Sequence, residues 1–141
     1  MKIKLNKKQK KKINQIAKKF QLVFVVVFGS QAKEQEQKTS DLDIAVLTKK
    51  KISYQLFSRL FGQLSEVFKG ENIDLRFLNQ ADPFFRFQVV KNGVLIYGEK
   101  NQFENYFAYA YKSFVDDAQP LLTQQKKLIY EKLKNLEKAV L

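Results

Sequence analysis

Val23 to Leu47 reads VFVVVFGSQAKEQEQKTSDLDIAVL, and this stretch decides the fold. The apolar run Leu22–Phe28 is rich in Val and Phe and lacks alternation, which suits a strand buried on both faces. Gly29-Ser30 breaks it, Gln31 to Gln37 is polar enough for a short surface helix, and Lys38-Thr39-Ser40 reads as a loop. Asp41 to Thr48 is then a second strand, with Asp41, Asp43 and Ala45 on one face and Leu42, Ile44 and Val46 on the other.

Two carboxylates at i and i+2 on a strand point the same way, and two negative charges that close are best explained by a bound cation. A Gly-Ser turn at a helix N-terminus offers free N–H groups and a hydroxyl to phosphate oxygens. The two features together describe a cradle for Mg²⁺ and a triphosphate. Each part also has a plain structural reading: a turn after a strand, and a pair of acids at a strand edge.

Working outward, the N-terminal side predicts a helix from about Asn6, its N-cap, to Phe20, with Ile13, Ile16, Ala17 and Phe20 forming one apolar stripe. The Lys7–Lys12 run, broken only by Gln9, lies on that helix and reads first as a solvated face. On the C-terminal side, Ser53 caps a helix reaching about Lys69, with Leu56, Phe57, Leu60, Phe61, Leu64, Val67 and Phe68 as a broad apolar face. Ile73 to Leu78 alternates as a third strand and carries Asp74, which can pair with Arg76 or join Asp41 and Asp43 if the strands are neighbours. Three such carboxylates can hold two metal ions and activate a hydroxyl for in-line attack.

Asp82-Pro83 opens a further helix ending at Asn92-Gly93, and Val94 to Tyr97 is a fourth strand. Asn101 to Glu104 resembles a capping box for a helix that Pro120 ends, followed by a last amphipathic helix over roughly Leu121 to Val140. The aromatic residues Phe57, Phe61, Phe84, Phe85, Phe107 and Phe114 are expected mostly in the core. The fold class is therefore α/β (α+β): a small mixed sheet of about four strands flanked by helices. A single domain is expected over residues 1–141, with its core at about 8–100 and a C-terminal helical segment at 101–141.

Composition narrows the chemistry. At 141 residues and 45% apolar content, with 13 Phe, the chain can bury a real core and is not of a disordered type. Absence of Cys excludes disulfides, thiolate sites and cysteine nucleophiles, and absence of His removes the commonest general base. A metal would be held by oxygen, favouring Mg²⁺ or Mn²⁺ over zinc. The net charge of +12 concentrates in residues 1–50, where 13 Lys face 4 acids. Such a segment favours anionic partners or simply keeps the chain soluble. No signal core follows the basic N-terminus and no apolar run could span a bilayer, so a soluble cytoplasmic protein without membrane association is expected.

Gly29-Ser30, ten intervening residues and Asp41-x-Asp43 resemble the signature of the nucleotidyltransferase superfamily related to DNA polymerase β. Asp74 and the segment Lys91-Asn-Gly-Val-Leu-Ile-Tyr-Gly98 resemble its minimal nucleotidyltransferase (MNT) branch, the likeness covering about residues 8 to 120. The resemblance implies a polymerase β-like core with C-terminal helices. It also implies an antitoxin paired with a HEPN ribonuclease toxin in a hetero-oligomer, silencing it by moving AMP from ATP to a toxin hydroxyl, a tyrosine in some members.

Carried onto this sequence, it makes Asp41, Asp43 and Asp74 catalytic and metal-binding, with one or two Mg²⁺ ions, and Asp74 would orient or deprotonate the acceptor. Gly29, Ser30, Lys33 and Ser40 become the ATP-binding set. The sequence departs from the pattern at Gln31–Glu34, where many members have Arg and Gly; Lys33 offers a point charge in place of a bidentate fork. Two alternatives stand beside this reading: a non-catalytic antitoxin that masks its partner, and transfer to a small molecule or RNA end. Nucleic acid is the less favoured partner, because a lone Lys patch gives only non-specific, salt-sensitive binding.

Overall fold

The computed structural model describes residues 4–29 and 41–140. The short helix expected at Gln31 to Gln37 lies outside the described residues. Helix α1 (Lys7–Lys19) starts where local chemistry fixes it: Asn6 Oδ1 accepts from the Gln9 N–H at 2.8 Å and Gln9 Oε1 accepts from the Asn6 N–H at 3.1 Å. This reciprocal pair satisfies two of the four donors a helix start leaves free. Ile13, Ile16, Ala17 and Phe20 are all buried, as their spacing requires.

Strands β1 (Leu22–Phe28), β2 (Leu42–Thr48), β3 (Ile73–Phe77) and β4 (Val94–Gly98) form one mixed sheet in the order β3-β2-β1-β4. β1 pairs antiparallel with β2 and β4, whereas β2 and β3 run parallel. The parallel pair needs a crossover, supplied by α2 (Tyr54–Val67), with Ser53 Oγ accepting from the Leu56 N–H at 3.1 Å. β3 ends at Phe77, one residue short of expectation, because Leu78–Gln80 turns into a 3-10 segment that buries Leu78. That turn is held by Asn79, which exchanges hydrogen bonds with the Thr48 backbone at 2.8 and 3.1 Å.

α1 and α2 cover one face of the sheet over Val25, Val27, Leu42, Ile44, Val46, Leu75 and Phe77. α3 (Pro83–Asn92), capped by Asp82 with Pro at its first position, and the start of α4 (Lys100–Val140) cover the other over Phe24, Val26, Ala45, Leu78 and Val89. Phe103 and Tyr106 of α4 stand edge-on to Phe24, with ring centroids 5.4 and 5.1 Å away.

Three expectations are corrected. The Asn101 capping box does not form: α4 already begins at Lys100, and the Phe103 N–H bonds to the Glu99 carbonyl at 3.0 Å. Pro120 does not divide two helices but sits inside one of 41 residues. Proline costs such a helix one hydrogen bond, to the Asp116 carbonyl, while its φ remains helical, and good helix formers continue on both sides. The aromatics are less buried than their stripes imply: Phe57, Phe61, Phe84 and Phe107 are exposed, and Phe85 and Phe114 half-buried.

Candidate active site

The end of the sheet where β1 finishes and β2 and β3 begin gathers the acidic residues. Asp43 lies in β2 with Phe28 of β1 as its antiparallel partner and Asp74 of β3 as its parallel one. Side chains in register on neighbouring strands share a face, so the two carboxylates project together on the α3 side, away from the buried Leu42, Ile44 and Leu75 and the partly buried Ile73. The neighbourhood that the sequence left conditional is therefore formed, with the β2–β3 crossover placing Asp74 beside Asp43. Asp41, expected as the first residue of the second strand, instead precedes β2 and is exposed; the adjacent Leu42 N–H is fixed to the Asn72 carbonyl at 2.7 Å. Among the described residues no three carboxylates, histidines or cysteines form a ready-made metal cage.

Charge is under tension here. The Asp43 carboxyl is held above the ordinary carboxylate range, first by burial, then by Asp74 and by Asp41, with Arg76 pulling the other way. Repulsion among three acids that Arg76 offsets only in part fits a site that takes a cation, and an all-oxygen donor set fits Mg²⁺.

Gly29 forms the opposite wall. Its φ of +81° lies in the left-handed region, and a Cβ added there would collide with the Asp43 carboxylate oxygen. The backbone thus approaches the carboxylate as closely as only glycine allows. Ser30, Lys33 and Ser40, the other residues expected to hold nucleotide, lie outside the described residues.

Sequence reasoning gave Arg76 no role beyond pairing with Asp74. Its Nε lies 3.6 Å from Asp74 Oδ2, and its guanidinium stacks 5.1 Å from the Phe85 ring, which meets Phe28 edge-on at 5.6 Å. Arg76, Phe85 and Phe28 thereby make a cationic and aromatic border to the carboxylate pair. The signal was present: Asp-x-Arg on an alternating strand places both side chains on one face. A cleft of about 630 Å³ opens at the opposite end of the sheet beside Asn14, Val23, Lys49, Tyr97 and Glu99. It holds one carboxylate and no facing pair, in contrast to the aspartate end.

The sequence model of the family "Polymerase beta, Nucleotidyltransferase" matches residues 11–102, a span that contains Gly29, Asp41, Asp43, Asp74 and Arg76. No curated protein sequence matches the chain. Among solved structures, a toxin–antitoxin crystallised with AMP-PNP is similar at 22% identity and a TM-score of 0.66, over 88% of this chain and 98% of that one. An MNT antitoxin bound to tri-AMPylated Shewanella oneidensis HEPN toxin is similar at 21% identity and a TM-score of 0.60, over 89% and 96%. The toxin–antitoxin MntA–HepT gives 21% and 0.61, over 91% and 99%. At these identities the structures attest a shared fold. The family match, which covers most of the sequence and all of the described site, decides membership: this chain belongs to the polymerase beta nucleotidyltransferase family.

Proposed function

We propose that the chain is an MNT-type antitoxin acting as one domain in the cytoplasm, transferring AMP from ATP to a tyrosine hydroxyl of a HEPN toxin. The observation that carries this reading is the registered Asp43–Asp74 pair facing the Gly29 backbone. It is supported by the fold shared with an MNT antitoxin whose HEPN partner is AMPylated. No helix among the described residues is long and apolar enough to cross a membrane.

In this reading Asp41, Asp43 and Asp74 hold Mg²⁺, and the bound ion would neutralise charge on the triphosphate and favour an ionised acceptor oxygen. Gly29, Ser30, Lys33 and Ser40 cradle the triphosphate. Asp74 also orients the acceptor hydroxyl and takes its proton as the oxygen bonds to the α-phosphorus. The bond to the β-phosphate breaks and pyrophosphate leaves. Arg76, with its Nε 3.6 Å from Asp74 Oδ2, restrains that carboxylate and supplies, from the sheet, the planar cation that the Gln31–Glu34 turn lacks.

The test is incubation of purified protein with ATP labelled on the α-phosphate, Mg²⁺ and the helical protein encoded beside it. Label should move to that protein and vanish in an Asp41→Ala, Asp43→Ala variant. Transfer that survives both substitutions overturns the metal-holding roles of the two aspartates. A second reading, neutralisation by masking, is favoured by the exposed apolar stripe on the far half of α4. It predicts that the double variant still silences the partner.

A further inference from the structure

Helix α4 is about 60 Å long at 1.5 Å per residue, and its two halves live in different surroundings. In the first half Ala110 is fully buried, and Phe107, Tyr111 and Phe114 lie against Phe87 of α3 at ring distances of 6.2, 5.7 and 4.9 Å. The same line runs onward through Ala118, Leu121 and Leu122, crosses Gln125, and continues through Leu128 and Ile129, Leu133 and Leu136. These six Leu and Ile residues are 54–62% exposed. The seam that α3 covers at one end thus continues uncovered for four further turns. An apolar strip of this kind, on the order of several hundred Å², marks an interaction surface on a small protein.

The shape and charge of the strip define what fits it. It is a ridge with helical spacing, and a helix laid alongside covers such a ridge as α3 does. Lys126, Lys127, Lys132, Lys134 and Lys138 accompany it against Glu131 and Glu137, and Lys126 and Lys132 border the apolar line, with Glu131 beside Lys132 at Leu128 and Ile129. A second copy of this helix would bring lysines against lysines; an acidic helix would meet them with carboxylates.

We propose that the Leu121–Leu136 strip of α4 is a docking surface for an amphipathic helix, flanked by Asp and Glu, of a different protein. This deepens the functional reading and rests on it, since it places the acceptor protein on a part of the chain distinct from the aspartates. The site modifies and α4 holds.

The probe is a synthetic amphipathic helix of about four heptads with Leu and Ile at the seam and Glu at the flanks, beside a control carrying Lys at the flanks. Binding to the full chain is followed by fluorescence anisotropy without ATP or Mg²⁺. The acidic peptide should bind about tenfold or more tightly than the lysine control. An Ile129→Ser, Leu133→Ser, Leu136→Ser variant should lose that binding by a similar factor, as removal of interface anchors does. Because all three side chains are exposed, its melting temperature should match the wild type, and its loss of binding would then be a surface effect. Lys126→Glu with Lys132→Glu should reverse the peptide preference.

Equal binding of both peptides overturns the proposal. So does a wild-type dimer in sedimentation that the triple variant abolishes, which would make a second copy the occupant. Binding to phosphatidylglycerol vesicles, lost in the triple variant, would assign the strip to a membrane surface and overturn it as well. The Asp41→Ala, Asp43→Ala variant should bind the acidic peptide as the wild type does, so failure of docking and failure of transfer are read separately.

Discussion

On the α1/α2 side of the sheet, Val25, Val27, Ile44, Val46, Leu60 and Leu64 are closed from solvent and almost wholly aliphatic. On the α3/α4 side Phe24, Val26, Ala45, Leu78, Val89 and Ala110 are buried to that degree, and much of the rest is aromatic and half-open, shading into Asp43, Asp74 and Arg76. The contrast separates two jobs. Branched aliphatic side chains interlock into a dry layer that fixes the sheet, whereas a face that must hold charge and admit a partner cannot be packed dry without leaving carboxylates buried and uncompensated.

The largest effect expected from this division is on stability. Leu60→Ala, at a fully buried position under the aliphatic face, should cost about 2–5 kcal/mol in urea unfolding, from lost burial and the cavity left behind. Phe84→Ala on the aromatic side, where the ring is 59% exposed, should cost under about 1 kcal/mol. Equal losses would break the comparison.

Next comes a substitution that touches the open face alone. Gly29→Ala must place a Cβ against the Asp43 carboxylate and hold a positive φ, so it should lower nucleotidyl transfer by about 10²-fold, the scale of a small misplacement of reacting groups. Its effect on unfolding should be limited to the backbone strain of about 1–2 kcal/mol. A variant with full activity would show that the close approach of Gly29 to Asp43 has no part in the reaction.

The two faces also differ in how far the sequence discloses them. Asn6, Ser53 and Asp82-Pro83 announce their helices correctly because a cap is decided by atoms three residues apart. The aliphatic stripe of α1 and the four strands are legible for the same reason, since periodicity is local. The aromatic side is harder. Helical spacing draws Phe84 and Phe107 toward the core, as it does Phe57 on the other side, yet spacing does not say whether another element arrives to cover them. Pro120 misleads because its penalty is finite and a long helix absorbs it. The aspartates are visible as a pattern. Their convergence is not, because it depends on β2 and β3 being parallel neighbours, a contact across about thirty residues made by the α2 crossover. Arg76 escaped because its importance comes from Phe85 and Asp43, which only the folded sheet brings near it.

The smallest effect is also the one most specific to the open face. Burial, Asp74 and Asp41 raise the Asp43 carboxyl, and Arg76 alone opposes them, so the metal-free fold binds a proton at Asp43 more tightly than the unfolded chain does. A raised folded value means that folding takes up a proton between the ordinary carboxylate range and that raised value. The stability Asp43 contributes is therefore complete at low pH and is lost as pH rises through the window. In EDTA, the melting temperature of wild type relative to Asp43→Asn should fall as pH is raised through it, the difference isolating one group from the other acids. Arg76→Gln removes the opposing charge, so it should extend the window to higher pH and lower metal-free stability slightly at neutral pH. Mg²⁺ acts in the reverse sense, stabilising the wild type most where Asp43 is ionised and doing little for Asp43→Asn. A window that Arg76→Gln leaves unmoved would place Arg76 outside the field of the carboxylate pair and reduce its contact with Asp74 to a surface ion pair of little consequence.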